Sequence, residues 1–140
     1  MEIIQRQKKI IEDFSLFDNW SDKYSYLINL GKSLNEFPKE KKDHSKIIKG
    51  CQSQVWLNVN FNHGRLYFQG TSDSVIVSGL IGLLFKVYND STPKDIVNST
   101  SDFINTIGLS KNLSVTRNNG FHTILSHIYN TAQYYNIPGV

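Results

Sequence analysis

Between Gln54 and Tyr88 the hydrophobic period changes once, and that change limits the fold more than any other feature of the chain. Val55, Leu57, Val59 and Phe61 alternate with Trp56, Asn58 and Asn60, the two-residue repeat of a strand with one buried face. After Asn62-His63-Gly64, where Gly64 is free to take positive φ, Leu66 and Phe68 alternate with Tyr67 and Gln69. The spacing predicts a hairpin over about 54–61 and 65–71, and Ile47–Ile48 is expected to add a short third strand. The next segment, SDSVIVSGLIGLLFKVYND, is apolar nearly all round and predicts a buried central helix capped by Asp73 or Ser72. Gly79 and Gly82 lower its helix propensity, and the expected compensation is close backbone approach against the sheet.

Helical spacing frames this centre on both sides. Ile3, Ile4, Ile10, Ile11 and Phe14 share one face of a first helix. Asp18 is expected to cap a second, which carries Trp20, Tyr24, Leu27, Ile28 and Leu34. Asn35 to Ser45 reads as a polar loop with Pro38 and one short helical turn. Thr92-Pro93 suits the start of a short helix, and SDFINTIGL suits another. Phe121, Ile124, Leu125, Ile128, Tyr129 and Ala132 predict a long C-terminal amphipathic helix, with 137–140 as a frayed tail. Helices, then an antiparallel hairpin, then helices argue for an α+β fold with helices packed on a small sheet.

At 140 residues the chain fits one domain, residues 1–140. Residues 1–50 hold ten basic and eight acidic side chains, a solvated mixed-charge surface rather than a nucleic-acid footprint. The longest apolar run, Val75 to Tyr88, is too short to span a bilayer. No apolar leader opens the sequence, and a single cysteine cannot form an internal disulfide. A cytoplasmic setting without nucleic-acid or membrane partners is the expectation.

That one cysteine lies in KIIKGCQSQVW. Gly50 gives its turn conformational freedom, and Gln52, Ser53 and Gln54 are polar and uncharged. Cys51 is therefore expected on a loop feeding a strand, where Lys46 and Lys49 would favour the thiolate. On the local pattern alone a reactive thiol and a buried structural thiol fit equally. A cysteine hydrolase needs a positioned histidine, and His44, His63, His122 and His127 mark no triad. One Cys with scattered His does not match a zinc or iron–sulfur ligand set. Asp73 stands at the strand-to-helix junction as a natural cap. LSVTRNNG places Arg117 at the entrance of the last helix, with Thr116 or Asn118 as its cap.

IIKGCQSQVWL, together with FSLFDNWSDKYSYLINLGKSL, SDSVIVSGLIGLLFKVYNDSTPKDI and IGLSKNLSVTRNNG, resembles the SufE family of sulfur acceptors, the Fe–S metabolism associated domain. The resemblance runs from about Ile10 to the last helix. It implies a fold similar to the IscU scaffold, although this chain lacks that scaffold's cysteine ligands. It implies that Cys51 takes sulfur from a SufS-type cysteine desulfurase, stimulates that enzyme, and delivers the sulfur to the SufBCD scaffold. The pyridoxal phosphate belongs to the partner, so no cofactor and no metal are expected on this chain, which acts as a transfer partner rather than an independent enzyme. CsdE-type acceptors share the motif and feed other pathways; a cysteine-dependent enzyme is the reading from another class. By resemblance Gly50, Gln52, Ser53, Asp73 and Arg117 support Cys51 through loop restraint or partner contact. The chain departs from the family at Val115, where proline is common, at Lys23, where arginine is usual, and at Pro38, which is displaced from its usual place after LGKSL.

Overall fold

A computed structural model describes residues 2–137. The expected tail therefore lies, apart from Ile137, outside the described residues. Helices α1 (Ile3–Ser15) and α2 (Trp20–Lys32) precede strands β1 (Val55–Asn62) and β2 (Arg65–Ser72). Helices α3 (Val75–Tyr88), α4 (Pro93–Asn98), α5 (Phe103–Thr106) and α6 (Val115–Tyr135) follow. The fold is α+β.

The hairpin forms where the spacing predicts it, but burial does not alternate along β1: Val55, Trp56, Leu57 and Asn58 are all buried, and Phe61 is exposed. Its register runs from Val55 opposite Ser72 to Asn62 opposite Arg65. His63 and Gly64 both take positive φ, 51° and 77°, so the two-residue turn twists in the sense that suits paired strands. Ile47–Ile48 does not become a third strand. Ile47 makes one isolated bridge to Trp56, and the Ile48 N–H donates to the Val55 carbonyl at 2.8 Å before the chain turns away at Lys49-Gly50. The outer edge of β2 is covered by the turn that leaves α3. The Leu66 N–H donates to Ser91 O at 2.9 Å, and the Asn89 side-chain amide bonds both backbone groups of Phe68, at 2.7 and 3.2 Å.

Helix α3 is the centre of the molecule, with ten of its residues from Val77 to Tyr88 buried. It crosses the sheet at Gly70, where a Cβ would meet Leu57 at 2.8 Å and Ile81 and Phe85 at 3.0 Å. Gly79 and Gly82 do not face the sheet as expected; they face α2. A Cβ on Gly79 would stand 2.5 Å from the Leu27 carbonyl oxygen, and one on Gly82 2.6 Å from that of Leu30. Gly31 answers from α2, 2.7 Å from the Gly79 nitrogen by the same construction. The two helices thus meet backbone to backbone, which only a small-residue seam permits.

Helix α1 places Ile3, Gln7, Ile10 and Phe14 inward and leaves Ile4 exposed. Gln7 holds a core position because its amide donates to Thr100 O at 2.7 Å. In α2 the buried residues are Leu27 and Leu30, while Trp20 and Tyr24 pack at the margin and Leu34 lies past the helix end. The polar loop holds two 3-10 turns, Lys39–Lys41 and His44–Lys46, rather than one. Phe121, Ile124, Leu125, Ile128 and Ala132 of α6 are buried, and the Tyr129 hydroxyl meets that of Tyr88 at 3.1 Å.

Three caps fall next to the residues expected. Asn19, not Asp18, accepts from the Asp22 N–H at 2.9 Å. Ser74, not Asp73 or Ser72, accepts from Val77. Ser114, not Thr116 or Asn118, accepts from the Arg117 N–H at 3.1 Å, so α6 begins at Val115 and contains Arg117 in its first turn. Thr92 caps α4 with Pro93 at its first position, as the spacing predicts.

Candidate functional site

Two short ladders define the base of the Cys51 loop. On one side Ile48 pairs with Val55. On the other, the Gln54 N–H donates to the Asp73 carboxylate at 3.0 Å, and the Asp73 N–H donates back to Gln54 O at 3.3 Å. The Ser72 hydroxyl also donates to Gln54 O, at 2.7 Å. Asp73, free of the capping role, clamps the loop where it enters β1. Between these anchors Gly50 sits at φ +94°, a conformation that a side chain would strain. The chain reverses there and presents Cys51 to α6.

The thiol rests over Gly120. Sγ lies 3.7 Å from the Gly120 carbonyl oxygen, and a Cβ at Gly120 would stand 3.7 Å from Sγ, in ordinary contact. A glycine inside a helix lowers the local wall and makes a seat for the sulfur. Beside it a cavity of about 120 Å³ has an apolar lining of Val77, Leu80, Phe121 and Ile124. Its polar border is Gln52 and Ser53 from the loop and Ser114, Thr116 and Arg117 from the first turn of α6. Five of the candidate residues thus meet: Cys51, Gln52, Ser53 and Arg117 line one space, and Asp73 secures the loop that delivers them. Gly50 turns the chain behind them.

The thiol is half-buried, and burial pushes its pKa above the ordinary range. Among the described residues no cation offsets this. Lys46 and Lys49 therefore do not favour the thiolate as the sequence suggested. Lys49 borders a different groove, on the other side of α6. Arg117 is exposed, and among the described residues its guanidinium makes no ion pair. No histidine lines the cavity: His44 is in a 3-10 turn, His63 in the hairpin turn, and His122 and His127 border the other groove. The arrangement supplies a sheltered sulfur nucleophile with open space beside it and, among the described residues, no histidine placed to act as general base.

The sequence alone does not mark Gly120, the last residue of LSVTRNNG, as part of the site. A glycine interrupting a helical pattern is the available signal, and its use is to admit a neighbour. Asn118 has a different role from the expected cap. In the fold its amide donates to Ser110 O at 2.7 Å and so pins the 3-10 turn Ser110–Asn112 against the start of α6. Among the described residues no group of three or more His, Cys, Asp or Glu side chains gathers as a metal site, and no helix is long and apolar enough to cross a membrane.

The architecture is similar to the solution structure of a hypothetical protein from Thermus thermophilus. The TM-score is 0.77 at 14% identity, over 93% of this chain and 95% of that one. At that identity the likeness concerns the fold. The sequence itself matches the SufE family, described as an Fe-S metabolism associated domain, over residues 8–132. That span contains the Cys51 loop, its Asp73 clamp, Gly120 and Arg117, and the chain belongs to the SufE family.

Proposed function

We propose that this protein is a persulfide carrier in iron–sulfur metabolism, a transfer partner rather than an independent enzyme. Cys51 takes sulfur from a SufS-type cysteine desulfurase, raises that enzyme's turnover by clearing its persulfide, and passes the sulfur to a SufBCD-type scaffold in the cytoplasm. The observation that carries the reading is a lone thiol on a clamped loop, seated in a small cavity with no histidine and no second thiol.

The chemistry asks for little else. The Cys51 thiolate attacks the terminal sulfur of the donor's persulfide. A new S–S bond forms at Cys51 Sγ, the donor's S–S bond breaks, and the electron pair leaves with the donor cysteine as thiolate. Nothing is oxidised or reduced on balance. A second cysteine nearby would expel the carried sulfur and close a disulfide, so a lone thiol suits the task. Burial keeps Cys51 protonated while the protein is free. Docking swings the loop out and exposes the thiol to the donor's active site, where its pKa falls. Asp73 sets how readily the loop leaves.

The test incubates the protein with a cysteine desulfurase, pyridoxal phosphate and cysteine, and reads intact mass. Reducible sulfur additions are expected on the wild type and none on Cys51→Ser. No addition, with no rise in desulfurase turnover, would sink the proposal. The shielding step has its own check. A free-protein alkylation rate equal to that of an unstructured thiol, with or without desulfurase, contradicts it.

A further inference from the structure

The Cys51 loop straddles α6, and the two sides of that helix differ in form. One side holds the apolar cavity. The other forms an open groove of about 670 Å³ bordered by Lys49, Asn119, His122, Thr123, Ser126 and His127. No bordering residue is acidic. The groove abuts the loop directly, because a Cβ on Gly50 would touch Thr123 at 3.6 Å.

Lys49, at the border of this groove, ends a lysine-rich segment that leads to the loop. Residues 39–49 contain five lysines against Glu40 and Asp43. Asp43 is turned to its own backbone: it accepts from the Ser45 hydroxyl and, at 2.8 Å, from the Ser45 N–H, which hold its carboxyl below the usual range. Lys46 and Lys41 also lie near enough to Asp43 to lower its carboxyl pKa, but none of the five lysines is among the direct ion pairs of the described residues, Lys9–Asp13 and Arg65–Asp90. Lys42 lies 4.7 Å over the Trp56 ring and fastens the segment against β1. Like charges held together repel one another, and a complementary surface relieves that repulsion.

We propose that this lysine-rich face, residues 39–49 with the groove it meets at Lys49, docks an acidic surface segment of the cysteine desulfurase that loads Cys51. The inference rests on the carrier reading above and adds the chemistry of the partner. Lysines suit carboxylates on a protein surface because their charge is compact and their stems are flexible. Nucleic acid fits less well. Trp56, the aromatic ring nearest the lysines, is buried at 8% exposure beneath Lys42 and offers no face for a base to stack on. The face lies beside the loop, so docking there brings the partner to the thiol.

Two measurements test this. In the first, the variant Lys39→Glu/Lys41→Glu/Lys46→Glu, which leaves Lys42 on Trp56, is assayed with the desulfurase at low and high salt. KM for the carrier should rise about tenfold at low ionic strength with kcat unchanged, and the gap should close as salt screens the surface. Loading of Cys51 by inorganic polysulfide should not change. In the second, wild-type protein is titrated with an oligoglutamate peptide and followed by amide NMR. The amides of Lys49, His122, Thr123 and His127 should shift. An unchanged KM, an oligoglutamate response elsewhere or absent, or a stronger response to single-stranded DNA would each overturn the acidic partner. Absence of any sulfur adduct on wild-type Cys51 would instead overturn the carrier reading, whatever the peptide does.

Discussion

The α2–α3 seam and the Cys51 seat both depend on glycine, and the missing side chain is filled differently in each. At the seam the space beside Gly79 and Gly82 is occupied by the carbonyls of Leu27 and Leu30, at 2.5 and 2.6 Å from where a Cβ would stand. Backbone cannot step aside, so this region is welded. At Gly120 the space is occupied by the sulfur of Cys51, at 3.7 Å. A side chain on a loop can step aside, so this region is a berth that can be vacated. The rest of the loop fits that contrast. It is held at its base by Asp73, Ser72 and the Ile48–Val55 bond, while the thiol's only hydrogen bond among the described residues is the long contact to Gly120 O.

The sharpest way to break the comparison is Gly79→Ala. The new methyl must push α2 away from α3, and a loss of about 3 kcal/mol is expected in chemical denaturation. A loss under about 1 kcal/mol would mean that the seam yields. Next comes Asp73→Ala, which removes the clamp on Gln54. It should cost about 1 kcal/mol and speed alkylation of Cys51 several-fold. An unchanged alkylation rate would locate the restraint elsewhere in the loop. Gly120→Ala is the counterpart of the first variant with the opposite sign. The methyl has ordinary room beside the sulfur, and alanine favours the helix, so stability should rise by up to about 1 kcal/mol. Gly120→Leu should fill the berth and expose the thiol, again read by alkylation. The smallest effect is expected at Val115. It is exposed at the first position of α6 and follows Ser114 in an extended conformation, so Val115→Pro should add about 0.5 kcal/mol. A clear loss would show that this turn is not preset for proline.

Much of this was legible in the chain. Period two from Val55 and an all-apolar run from Val75 located the hairpin and the central helix, but not that β1 is buried on both faces at its start, Trp56 and Asn58 included. The caps missed by one or two residues because Asp18-Asn19, Ser72-Asp73-Ser74 and the pair Ser114 and Thr116 each offer more than one nearby side-chain oxygen. Only the backbone angles choose among them. Gly79 and Gly82 announced close approach but not the element approached. Gln7 holds an inward place on α1 through Thr100, ninety-three residues away, which no local pattern encodes. At the site, the Cys51 motif was readable. The berth at Gly120 and the absence of lysine support for the thiolate depend on which face of α6 the loop meets, and that is a tertiary fact.

The turn after α3 has one further consequence. A two-stranded sheet offers its flank as a template on which foreign chains can add, the first step toward fibrils. Along β2 that template is closed by Ser91 and by the Asn89 amide, which imitates a peptide group opposite Phe68. Asn89 and Ser91 thus occupy backbone groups of β2 that an added strand would need, a task separate from sulfur chemistry.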